Sequence, residues 1–195
     1  GLDAQHQPVA PGRANVLSVS QGQDAAKTLL LCSHSDTVGV IGYQSDPFEP
    51  RLENGRIYGR GACDDKGSLA TMMIAYRDRV KESELPYNLA FLATCDEEYG
   101  MSGSRHFAKN LPIPLTAAII GEPTGLGVIT AHKGVMRLKL TTYGKSVHSS
   151  IPHLGKNAIT SMARAIEVIE QFAADRSNQP PHPQLGYDTL AVTII

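Results

Sequence analysis

Residues 58–67, Tyr-Gly-Arg-Gly-Ala-Cys-Asp-Asp-Lys-Gly, make a glycine-flanked turn that delivers Asp64 and Asp65 just before a helical pattern begins. A carboxylate presents two oxygens and can bridge two cations, and such a pair clamps a hydrolytic water beside a substrate carbonyl. Asp64 is read as that shared carboxylate. Alone, an Asp-Asp pair before a helix would be read as a cap; here other clusters carry matching ligands. His34 and Asp36 follow a short apolar run. Two residues apart on an extended chain, they point the same way, so the Asp36 carboxylate can hold one ring nitrogen of His34 while the other faces a metal. A lone H-x-D is common and is more often just a strand-end turn. Asp96, Glu97 and Glu98 follow a second apolar run. Acids stacked at a strand end repel one another unless cations offset the charge. Of two adjacent glutamates, which point apart, one can bind metal while the other acts as a base toward water. Glu122 follows a third run.

The elements that must position these groups follow from pattern. Residues 15–20 alternate weakly and suit an edge strand; residues 21–27 form a polar turn; residues 28–33, 88–94 and 115–120 are short apolar runs that suit buried strands. Residues 39–54 are loop-like, stiffest at Asp46-Pro47-Phe48-Glu49-Pro50, and residues 55–58 can return as a hairpin. Leu69, Met72, Met73, Tyr76 and Val80 make a helical core stripe, so the methionines are core filler; Pro86 ends that segment, and residues 102–109 form a short helix. Strands alternating with helices or loops, each ending in His or carboxylate residues, give an α/β fold: a mainly parallel sheet with helices on both faces and its site at the carboxyl edge. Imidazole and oxygen donors without thiolate suit two divalent ions, zinc first, with cobalt or manganese possible.

Composition narrows the class. The 195 residues are 42% apolar and 19% charged with a net charge of −1, an ordinary globular balance with no basic patch for nucleic acid. The longest apolar run, residues 29–32, is far too short to span a bilayer, and no basic-then-apolar leader opens the chain, so no membrane association and a cytoplasmic location are expected. Cys32, Cys63 and Cys95 share no C-x-x-C spacing and are read as small buried hydrophobes rather than ligands. The chain opens without a helical pattern and closes inside the apolar run 190–195, which reads as a fragment cut within a strand.

His34-Ser35-Asp36, residues 59–67, residues 94–98 and Gly121-Glu122-Pro123-Thr124 resemble, in order and spacing, the motifs of the acetylornithine deacetylase and succinyl-diaminopimelate desuccinylase family of co-catalytic zinc aminoacylases and carboxypeptidases. The similarity covers nearly the whole chain, and residues 144–150 resemble the family's lid-domain histidine motif. The resemblance implies that His34 and Glu122 bind one metal, Glu98 the other and Asp64 both. Asp36 would orient His34, Glu97 would be the general base and acid, and the Asp64–Asp65 peptide would be cis. His148 would reach across a homodimer to polarise the scissile carbonyl; in isolation it would be a surface histidine in a serine-rich loop. The implied division is a catalytic domain over 1–130 and a smaller α+β lid and dimerisation domain over 131–195, both partial. In relatives, helices precede the first strand and a last histidine ligand comes from beyond the lid. Within the lid, residues 134–143 and 190–195 read as strands, residues 156–172 as a helix with Ala158, Met162, Ile166 and Ile169 inward, and the Pro-rich 179–184 connection as a loop. The segment 121–134, Gly-Glu-Pro-Thr followed by Ala131-His132-Lys133-Gly134, is most similar to the acetylornithine deacetylase branch, which implies an N-acyl amino acid substrate; a dipeptidase or exo-carboxypeptidase would share the ligands, and a non-catalytic metal-binding relative would keep the fold.

Overall fold

The computed structural model describes residues 2–82 and 84–195. Two compact units divide the chain, one ending at Leu126 and one spanning Gly127–Ile195.

The first unit is built on a five-stranded sheet of β1 (Gln5–Ala10), β2 (Arg13–Ser20), β3 (Asp24–His34), β6 (Tyr87–Thr94) and β7 (Ala117–Ile120), in the order β1-β2-β6-β3-β7. A hairpin of β4 (Arg51–Glu53) and β5 (Arg56–Tyr58) stands apart from it. β3 runs parallel to β6 and β7, whereas β1 with β2 and β2 with β6 are antiparallel. The sheet is therefore mixed, not mainly parallel. The segment 15–20 is no edge: β1 pairs with its outer side.

Alternation along the strands sends successive side chains to opposite faces. Leu17, Leu30, Cys32, Ala90 and Leu92 pack with Phe107 of α2 (Ser102–Asn110). Leu31, Leu89, Phe91 and Ala93 pack with Tyr76, Leu69, Met72 and Val80 of α1 (Lys66–Lys81). Helices thus cover both faces, and each large apolar side chain fully buried there contributes about 1.5–3 kcal/mol. Tyr76, fully buried, places its hydroxyl between those of Ser18 and Ser20 at 3.0 and 2.9 Å, so its polar end is satisfied within the core. Met73, expected inward, is nearly half exposed at the margin of the α1 stripe. β7 is also more open than its composition suggests: it is the edge strand, and Ile119 and Ile120 are half exposed.

Register then sets the site. His34 pairs with Thr94, and Cys32 with Ile120, so the three parallel strands end side by side and the segments beginning at Ser35, Cys95 and Gly121 leave the same edge. Gly121 donates its N–H to the Cys32 carbonyl at 2.7 Å. A Cβ at Gly121 would lie 2.8 Å from the Ser68 side chain, so only glycine lets α1 come this close to the end of β7.

In the second unit α3 (Ala158–Ser177) is capped by the Asn157 side chain, which accepts the N–H groups of Ile159 and Thr160. Its Ala158, Met162, Ile166 and Ile169 are half-buried on one face. The strands expected over 134–143 and 190–195 are not formed: both stretches are extended or irregular chain outside any ladder, with Val135, Met136 and Leu138 exposed. The backbone bridges in this unit are the isolated pairs Lys145–Lys156 and His182–Gly186. A strand is stable only when its backbone groups find a partner strand.

Candidate metal centre

His34, 2% exposed, sits at the last position of β3. Its Nδ1 faces the backbone carbonyl of Asp36 at 3.0 Å and its Nε2 faces Asp64 Oδ1 at 2.9 Å. The Asp36 carbonyl can only accept, so Nδ1 carries a proton and Nε2 is left aimed at the Asp64 carboxylate. Burial lowers the His34 pKa, but the Asp64 hydrogen bond and the charges of Asp65, Glu122 and Glu97 outweigh it and leave the pKa raised.

The H-x-D spacing does not make the carboxylate contact expected of it. The Asp36 carboxylate does not hold the imidazole; its nearer oxygen is 3.7 Å from Nδ1, beyond hydrogen-bond range. It accepts instead the backbone N–H groups of Glu97 and Glu98, at 3.0 and 3.2 Å, one on each oxygen. Asp36 thus ties the turn after β3 to the acidic turn after β6, and His34 is held by Asp36 through its main chain.

Asp64 and Asp65 enter from the turn before α1, and the peptide between them is cis. Asp64 is exposed toward the site; Asp65 is fully buried. Asp65 occupies the helix N-cap position but makes no capping bond with its side chain. Its Oδ2 accepts the Ser33 hydroxyl and, at 3.4 Å, the His34 N–H. Lys66 reaches back with Nζ to the Ser35 carbonyl at 3.1 Å. One oxygen of Glu98 accepts the Val38 N–H at 3.1 Å.

Among the described residues two groups of possible ligands form, His34 with Asp64 and Glu98, and His34 with Asp65 and Glu122, the ligand atoms within each group lying within 4.8 Å of one another. The sequence pattern suggests no more than a helix cap for Asp65, yet its side chain caps nothing and meets the serine and histidine that end β3. His148 lies in the second unit, exposed, with Nδ1 bonded to the Ser150 hydroxyl at 2.8 Å.

The donor set fits divalent cations. It offers one imidazole and several carboxylates, and a buried Asp65 Oδ1 has no hydrogen-bond partner among the described residues. Burial first, then the charges of Asp65 and Glu122, push the Cys32 thiol up to about 11, which keeps it protonated and out of the ligand set. Burial and the nearby Asp65 push Glu122 up to about 7. Glu97 is also raised, by burial first and then by Glu98, Asp36 and Asp64 against the opposing pull of His34. Such crowding of acids is relieved by positive charge, and oxygen with imidazole suits zinc, cobalt or manganese.

The chain is 37% identical over 196 aligned residues to the acetylornithine deacetylase of Proteus mirabilis, an alignment that takes in 96% of this chain and 50% of that protein. It therefore spans about half the length of that curated relative. Among solved structures it is similar to a tripeptidase from Staphylococcus aureus, with a TM-score of 0.57 and 24% identity over 86% of this chain and 46% of that one. It is also similar to an M20 family metallo-carboxypeptidase from Sulfolobus solfataricus, with a TM-score of 0.48 and 26% identity over 62% of this chain and 28% of that one. The profile of peptidase family M20/M25/M40 matches residues 30–189, well over half the sequence. With that match running from the end of β3 through the acidic turns and most of the second unit, the chain belongs to peptidase family M20/M25/M40.

Proposed function

We propose that the protein carrying this chain hydrolyses the amide bond of an N-acyl amino acid, in the manner of an acetylornithine deacetylase. The observation that carries the reading is the pair of ligand groups sharing His34 at the carboxyl edge of the sheet, with a raised-pKa Glu97 beside them. Asp64 and Glu98 would hold one divalent ion and His34 with Glu122 the other, Asp64 being shared; zinc suits the donor set best. When bound, such ions polarise the scissile carbonyl and ease deprotonation of the attacking water. Glu97 takes that proton and returns it to the leaving nitrogen, a task for which a carboxyl lifted toward neutrality is suited. Asp36 fixes Glu97 by its backbone N–H. No covalent enzyme intermediate forms.

The second unit is assigned as a lid and dimerisation domain that brings His148 to the carbonyl oxygen of a substrate bound by the partner copy in a homodimer. The substrate assignment rests on the Proteus mirabilis relative. Steady-state assays on the intact protein, stripped with chelator and reloaded with zinc, should show hydrolysis of N-acetylornithine or related N-acyl amino acids in preference to dipeptides. Faster turnover of dipeptides would make the protein a dipeptidase or exo-carboxypeptidase. Bound metal with no turnover of either class would make it a non-catalytic metal binder.

A further inference from the structure

Asp65 is fully buried, and its two oxygens have unequal surroundings. Oδ2 takes the Ser33 hydroxyl and the His34 N–H, while Oδ1 is buried with no hydrogen-bond partner among the described residues. A carboxylate removed from water with an oxygen unmet is costly, and only a proton, a donor or a cation relieves it. The side chain is not engaged in capping α1. A ligand atom of Asp65 lies within 4.8 Å of those of His34 and Glu122, in a separate group from His34, Asp64 and Glu98.

We propose that Asp65 supplies a carboxylate oxygen to the divalent-cation site of His34 and Glu122. Asp64 stays the carboxylate shared by both ions, and Asp65 adds an oxygen on the side of Glu122. This rests on the two-cation reading above and adds a ligand to it. It also explains why a charged residue is buried against the end of β3, where an apolar side chain would pack at lower cost.

The test is zinc binding by the intact, metal-stripped protein in competition with a chromophoric chelator, with cobalt absorption as a second readout. Asp65→Asn keeps the size and an acceptor for Ser33 but removes the charge. One of the two zinc affinities should fall about tenfold or more while the other stays within about twofold, and the cobalt spectrum of the weakened site should change. Glu122→Gln should weaken the same site. Should circular dichroism show Asp65→Asn unfolded, Asp65→Leu, which buries no oxygen, is titrated in its place with the same expectation. Both affinities unchanged in the folded variant would overturn the proposal and leave Asp65 a structural pin for Ser33. A wild-type protein that binds fewer than two zinc ions would overturn the two-cation reading itself, and the Asp65 assignment with it.

Discussion

Glu97 and Glu98 are neighbours in sequence with different duties under the proposed mechanism, and metal content separates the base Glu97 from the shared ligand Asp64. Glu97→Ala removes the base but no ligand, so turnover should fall by about a hundred- to ten-thousand-fold while two zinc ions stay bound. Asp64→Ala removes the shared carboxylate and should lose both ions. Elemental analysis beside the assay decides this, and equal metal loss in the two variants would refute Glu97 as the base. The raised acids also make the metal-free protein pH-sensitive. Glu122, ordinarily near 4.5, stands at about 7 in the folded chain, so its contribution to stability is full below 4.5 and lost as pH rises through 7. His34, also raised, acts in the same sense. Metal-free protein should therefore melt at a lower temperature at about pH 8 than at about pH 5, and added zinc should raise the melting temperature more at the higher pH, where the carboxylates it neutralises are ionised. A melting temperature that does not fall over this range would contradict it.

At the scale of elements the centre is a matter of strand ends. β3, β6 and β7 finish side by side because His34 pairs with Thr94 and Cys32 with Ile120. The Asp36 carboxylate then locks the first turn to the second through the N–H groups of Glu97 and Glu98. Asp36→Asn keeps one acceptor and replaces the other by a donor facing an N–H, so it should lower kcat by about tenfold to a hundredfold with zinc content nearly unchanged. Asp36→Ala should be worse, and loss of zinc in preference to rate would show that Asp36 acts on His34 alone. β3, β6 and α1 were legible in the sequence because apolar runs and a 3.6-residue stripe report burial directly, whereas the apolar run of β7 marked a strand but not its exposed place at the sheet edge. The partner of each strand was not: Val16, Leu17 and Val19 show that β2 is half-buried, but not that β1 covers its outer side. Nor was the aim of Asp36. An H-x-D spacing fixes proximity to His34, but not whether the backbone or the carboxylate makes the bond. Residues 134–143 illustrate the opposite failure, since β-branched and apolar alternation signals a strand without supplying one to pair with.

For the whole molecule the proposal turns on His148, which lies in the second unit while His34, Asp64, Glu97, Glu98 and Glu122 all lie in the first. The two can cooperate within one chain by closure, or between chains in an isologous dimer, where each copy lends its histidine to the other's centre. The second unit carries material for such an interface: Val168 and Phe172 of α3 and residues 135–140 expose apolar side chains. The two routes differ in a mixing experiment. His148→Ala and Glu97→Ala proteins should each be nearly inactive alone. After subunit exchange, a hybrid dimer holds one site with an intact base and an intact incoming histidine. An equal mixture with random exchange should therefore recover up to about a quarter of wild-type activity, since about half of the dimers are hybrids and each has one complete site. Exchange proven by differently tagged subunits, with no recovered turnover, would place His148 in its own chain's reaction or outside catalysis altogether.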